Sequence, residues 1–150
     1  MAQPLQRDPY LQGLSRDHHQ GLLFAFHLKK GMDQGISSDR ILPYVRWFLK
    51  EHLLPHFQLE EKFLFPLLHK DHPLVKLAQE QHRALKSQLG DPHYDSLRQS
   101  AELLINHIRM EERQLFEDIQ DQVEPGKLKK VHQSHQDLPG CFAWPDRFWQ

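Results

Sequence analysis

Two stretches of the chain, HFQLEEKFLFP from His56 to Pro66 and HIRMEERQLFE from His107 to Glu117, set a histidine and a glutamate one helical turn apart among apolar residues. An α-helix turns about 100° per residue, so residues three, four, seven and eleven apart share a face. His56 then lies with Leu49, Leu53, Glu60, Phe63 and Leu67, and His107 with Leu103, Leu104, Met110 and Glu111. Glu61 and Glu112 fall about 140° away and are expected on a solvated face, together with Glu117 and Asp118. Any fold open to this chain must bury two carboxylates beside two imidazoles, which is unfavourable unless positive charge is brought to them.

Helical periodicity runs through four segments, about 11–30, 37–68, 73–89 and 95–123. Gly31, the GDP at Gly90 to Pro92 and the EPG at Glu124 to Gly126 punctuate them, and Pro73 is a good helix-starting residue. Pro55 predicts a kink just before His56, and Pro66 a distorted last turn. No strand-like alternation of useful length and no Asn-Gly or Asp-Gly hairpin turn interrupts the pattern. The expected fold is all-α, an antiparallel up-down-up-down four-helix bundle with a C-terminal aromatic tail. At 150 residues it reads as one domain, with a bundle core over about 11–123 and an extension over about 124–150. Phe142, Trp144, Phe148 and Trp149 are too apolar for a free linker, so the tail is expected to dock on the bundle or on a second subunit.

The other two helices contribute one inward histidine each. His18 shares its stripe with Leu11, Leu14, Leu22 and Ala25, a more apolar set than the Gln12, Ser15, Leu23 and Phe26 around His19, and His82 lines up with Val75, Ala78, Leu85 and Leu89. Among 12 histidines in all, His27, His69, His72, His93, His132 and His135 are read as surface or supporting residues. The candidate metal ligands are therefore His18, His56, Glu60, His82, His107 and Glu111, with no lysine or arginine near their stripes except Lys86. Imidazole with carboxylate suits iron, manganese or zinc. If Glu60 and Glu111 bridge two ions and the histidines divide two and two, each ion has four protein ligands. A six-coordinate ion then keeps positions open for oxygen, peroxide, nitric oxide or water.

Competing chemistries match poorly. The Glu-x-x-His of ferritin-like di-iron sites is absent, and His52-Leu-Leu-Pro-His56 lacks the glutamate of a zinc-protease helix. A net charge of -1 argues against nucleic acid or a membrane surface as the main partner. The single Cys141 excludes an internal disulfide. With no signal-peptide pattern and no apolar run of membrane-spanning length, a cytoplasmic protein is expected.

His-x-x-x-Glu-Glu at His56 to Glu61 and again at His107 to Glu112, preceded by Asp17-His18 and Gln81-His82, resembles the hemerythrin-like (HHE cation-binding) domains over about 11–120. The resemblance implies a four-helix bundle around two iron ions, with His18, His56, His82 and His107 as terminal ligands and Glu60 and Glu111 as bridges. Zinc or manganese in place of iron stays open. Oxygen-carrying members of that family use five histidines, two of them four residues apart on the third helix. Here Ala78 and Lys86 flank His82 at those spacings, and the second bridging carboxylate is Glu where the carriers have Asp. His52 and His19 are the candidates for an additional ligand. The expected function is binding of dioxygen or nitric oxide for sensing, storage or buffering. The alternatives are a di-iron enzyme acting on peroxide or nitric oxide or in iron-cluster repair, and a zinc-stapled bundle. A homodimer or a separate partner engaged through the tail is compatible with each.

Overall fold

A computed structural model describes residues 6–138 and 143–150; Pro139, Gly140, Cys141 and Phe142 of the aromatic tail lie outside them. Among the described residues there are α-helices, 3-10 turns and π turns, and no strand. Helix α1 spans Gln12–Asp33 and follows a 3-10 turn, Pro9–Leu11, that Asp8 caps by accepting the Tyr10 N–H at 2.8 Å. It stops where Gly35 takes φ +70°, a conformation costly for other residues, so that the Ile36 N–H can reach back to the Gly31 carbonyl.

The second rod runs unbroken through α2 (Ser38–Phe48), a π turn (Leu49–Leu53), α3 (Leu54–Leu59), a second π turn (Glu60–Leu64) and a closing 3-10 turn (Phe65–Leu67). Pro55 does not break it. The π turn just before the proline takes up the missing donor, its Leu54 N–H bonding to the Leu49 carbonyl. Helix α4 spans Pro73–Gly90 and is capped by the His72 ring, whose Nδ1 accepts the Leu74 N–H at 3.1 Å. The fourth rod joins α5 (Leu97–Met110), a π turn (Glu111–Leu115) and α6 (Phe116–Gln122). A last helix, α7 (Lys129–Gln136), packs back against α1 and α3.

Two apolar clusters fill the bundle. One gathers Phe24, Leu28, Ile41, Phe48, Leu85 and Leu104; the other gathers Leu14, Leu59, Leu64, Phe65, Leu115 and Phe116. Each rod crosses from one cluster to the other at its inward histidine: α1 and α4 from the second to the first, the other two in the reverse sense. The polar layer of His18, His56, Glu60, His82, His107 and Glu111 is thus sealed by hydrocarbon above and below, and no member is more than 4% exposed.

Beyond α7 the chain returns to the first cluster. Phe148 is buried against Gly31 and Ile41, in space that a side chain would close, since a Cβ on Gly31 would stand 2.9 Å from the Phe148 ring. Trp149 stacks on His27 at 3.7 Å, and Arg40 pairs with Asp146 at 2.7 Å. Truncating Phe148 to alanine is expected to cost about 3 kcal/mol of unfolding free energy, read by chemical denaturation. Truncating Phe26, which is 56% exposed, should change it by less than about 0.5 kcal/mol.

Candidate metal centre

In each histidine of the polar layer, Nδ1 faces a polar group on a neighbouring rod. His18 Nδ1 donates to Glu112 at 2.8 Å, His56 Nδ1 to Asp17 at 2.9 Å, His82 Nδ1 to Glu61 at 3.0 Å and His107 Nδ1 to the Gln81 side-chain carbonyl at 2.7 Å. The arrangement forms a cycle. The first rod holds the histidine of the second, the second that of the third, the third that of the fourth, and the fourth that of the first. Each of the four acceptors is also the sequence neighbour of an inward group, Asp17 of His18, Glu61 of Glu60, Gln81 of His82 and Glu112 of Glu111.

These bonds fix the tautomer. With the proton on Nδ1, the Nε2 lone pair points into the core. There it meets more acceptors: His56 Nε2 and His82 Nε2 each lie 3.2 Å from Glu60 Oε1, and His107 Nε2 lies 2.9 Å from Glu111 Oε1. Among the described residues none of these three nitrogens makes a hydrogen bond, and neither do both oxygens of Glu60 and Oε2 of Glu111. Six buried polar atoms aimed at one another are unfavourable unless protons or a cation come between them, and a cation resolves them all at once.

Protons cover part of the charge in the metal-free chain. Burial opposes a charge on His18, but hydrogen bonds to Glu111 and Glu112 outweigh it and raise the imidazole to about 9. Burial and the charge of Glu111 push Glu60 well above the ordinary carboxylate range. Glu111 is held well below that range because the positive character of His107 and His18 overcomes its burial.

The atoms fall into two sets, His18 with His56, Glu60 and Glu111, and His82 with His107, Glu60 and Glu111; within each, one ligand atom per residue lies within 4.8 Å of the others. Both glutamates belong to both sets, a donor chemistry that fits two divalent or trivalent ions sharing carboxylates. His19 is exposed and joins neither set. His52 stacks on Phe48 and places Nε2 3.3 Å from the Asp17 carbonyl, also outside both. Ala78 is fully buried in the second apolar cluster, with no donor to offer.

Glu61 and Glu112, expected on a solvated face, are instead partners of His82 and His18. Both are only part-exposed, and their long side chains reach across to the neighbouring rod. A π turn starts at Glu60 and again at Glu111, closed by Phe65 N–H to Glu60 O and Phe116 N–H to Glu111 O, and such turns recur at functional sites. His135, read as a surface or supporting residue, supports the centre: its Nε2 donates to Asp17 at 2.9 Å, and its ring fills the space left by Gly13, where a Cβ would stand 2.7 Å from its Nδ1. Arg7 pairs with Glu112 at 3.0 Å. Asp17 and Gln81 were visible only as the residues before two ligands; their roles need the order of the rods.

The family of the hemerythrin HHE cation binding domain matches residues 12–119, and the chain belongs to it. No curated protein and no solved structure gives a significant match.

Glu61→Ala or Glu112→Ala should lower metal affinity roughly 10- to 100-fold in a competition titration against a chelator, while the helical content stays unchanged. Glu60→Gln should move stability and metal binding in opposite directions. A carboxyl raised in the folded state binds protons that the unfolded chain has lost, so it destabilises the metal-free fold as pH climbs above about 4.5. The amide removes that penalty, and the metal-free variant should melt higher than the wild type at pH 7 while holding metal more weakly.

Proposed function

We propose that the polar layer holds two iron ions and binds dioxygen or nitric oxide, for sensing, storage or buffering. The observation that carries this reading is the convergence of six unpartnered acceptor atoms from Glu60, Glu111 and three histidines in a core sealed on both sides. In it, His18 and His56 would hold one ion, His82 and His107 the other, and Glu60 and Glu111 would serve both. The alternation of the two apolar clusters along the four rods supports the antiparallel up-down-up-down order that this arrangement needs.

The chain's own residues have three tasks. Glu112, Asp17, Glu61 and Gln81 accept the Nδ1 protons and orient the imidazoles so that each Nε2 faces the core. Glu60 and Glu111 supply negative charge to offset that of the ions. Phe57, stacked on His82 at 3.9 Å, and Phe116, stacked on His18 at 5.2 Å, close the layer to water. When bound, the iron pair supplies one-electron redox chemistry and, with four protein ligands per ion, exchangeable positions for a small molecule. Metal loading must displace protons from His18 and Glu60, so affinity falls as pH is lowered.

Protein purified without a tag and loaded anaerobically with ferrous iron should take up two irons per chain. On admitting air it should develop near-ultraviolet and visible bands that reverse when oxygen is removed. Bands that form irreversibly with consumption of peroxide would instead make it an enzyme, and uptake of zinc alone with no spectral change would leave a metal-stapled bundle. Glu60→Ala and Glu111→Ala should each abolish binding of the iron pair.

A further inference from the structure

Between α1, α2 and the C-terminal tail lies a cleft of about 680 Å³ that the metal reading leaves unused. All three tryptophans of the chain, Trp47, Trp144 and Trp149, line it, with Tyr44 and Phe48 beside them. Their rings are set at an angle to one another: Trp47 and Trp144 lie 5.3 Å apart at 38°, and Tyr44 and Trp144 5.9 Å apart at 49°. The rest of the lining is mixed, with Asp17, Arg147 and the imidazole of His135 among its polar groups. Volume, aromatic walls and polar groups at the edge are the attributes of a site for a small planar molecule.

We infer that this cleft binds a planar conjugated ring system, of the size and polarity of a flavin or a naphthoquinone, stacked on the tryptophan walls. Two observations favour that class, and a third ties the cleft to the polar layer. Aromatic rings on several walls favour a flat ligand over a branched aliphatic one. Trp144 Nε1 is buried with no partner among the described residues, a donor in the wall that an acceptor on such a ring can satisfy after a small shift of the indole. The lining residue Asp17 is the one whose carboxylate accepts from His56 at 2.9 Å and from His135 at 2.9 Å. A ring in the cleft therefore sits one carboxylate and one imidazole from the proposed metal layer, in contact with the residue that orients His56. Occupancy of the cleft and loading of the layer are then linked, each altering the affinity of the other by the same factor.

Because every tryptophan of the chain is in the cleft wall, intrinsic fluorescence is a direct reporter. The full chain, metal-free and then loaded with spectroscopically silent zinc, is titrated with riboflavin and separately with menadione. Saturable, one-to-one quenching by riboflavin assigns the flavin class, and by menadione alone the quinone class. Trp47→Ala should weaken the bound ligand about tenfold, followed by the absorbance of the ligand, with Phe26→Ala without effect. Quenching by both probes that rises linearly without saturation, as it does for free tryptophan, overturns the proposal, as does unchanged affinity in both Trp47→Ala and Trp144→Ala. A difference between the metal-free and zinc-loaded affinities supports the Asp17 link, and equal affinities refute it. Since the first titration uses metal-free protein, its failure says nothing about iron.

Discussion

Lone pairs facing lone pairs is the condition on which the rest of this structure rests. Four imidazoles have their Nδ1 protons drawn outward by Glu112, Asp17, Glu61 and Gln81, and their Nε2 atoms are turned toward two fully buried glutamates. A core arranged that way is poor for stability by itself, because replacing such groups with hydrocarbon of the same shape would strengthen most bundles. It persists because a cation converts the mutual repulsion into bonds. The apolar clusters on either side raise the stakes, since the same low dielectric that makes the unfilled layer costly makes the filled one strong.

Much of this was legible in the residues. The choice of His18 over His19 followed from comparing two stripes one residue apart on a regular helix, and α1 buries His18 while exposing His19. The inward phase of Glu60 and Glu111 followed from the same arithmetic, and both are fully buried. The arithmetic failed one residue later. Glu61 and Glu112 stay part-buried and meet His82 and His18 on neighbouring rods, and at both places the backbone leaves the 3.6-residue repeat for a π turn. Nothing in the local sequence announces that change of pitch. Pro55 did announce a disturbance, but its form, a π turn in an otherwise continuous rod, reflects packing on both sides of the proline.

The remaining gaps are of a different kind. Asp17 and Gln81 act on histidines that lie 39 and 26 positions further along the chain, and His135 acts on Asp17 across 118. Periodicity reports which way a side chain faces on its own helix; it carries no information about which neighbour it meets. The family match ends at residue 119, so α7 and the tail form an elaboration outside the matched region. Through His135 and Gly13 that elaboration reaches a group which itself touches an imidazole of the layer.

The cycle of imidazole partners is not uniform. Along it stand three carboxylates and one amide, and the amide, Gln81, serves His107. On the opposite side of the bundle, Asp17 and Glu112 back His56 and His18, and each itself accepts from a further side chain, His135 or Arg7. A carboxylate behind an imidazole makes its far nitrogen a stronger electron donor than an amide does. The two halves of the layer are therefore electronically unequal although they share both glutamates. A cation would meet stronger donors beside His18 and His56 than beside His82 and His107, a difference written in a single atom's exchange of oxygen for nitrogen.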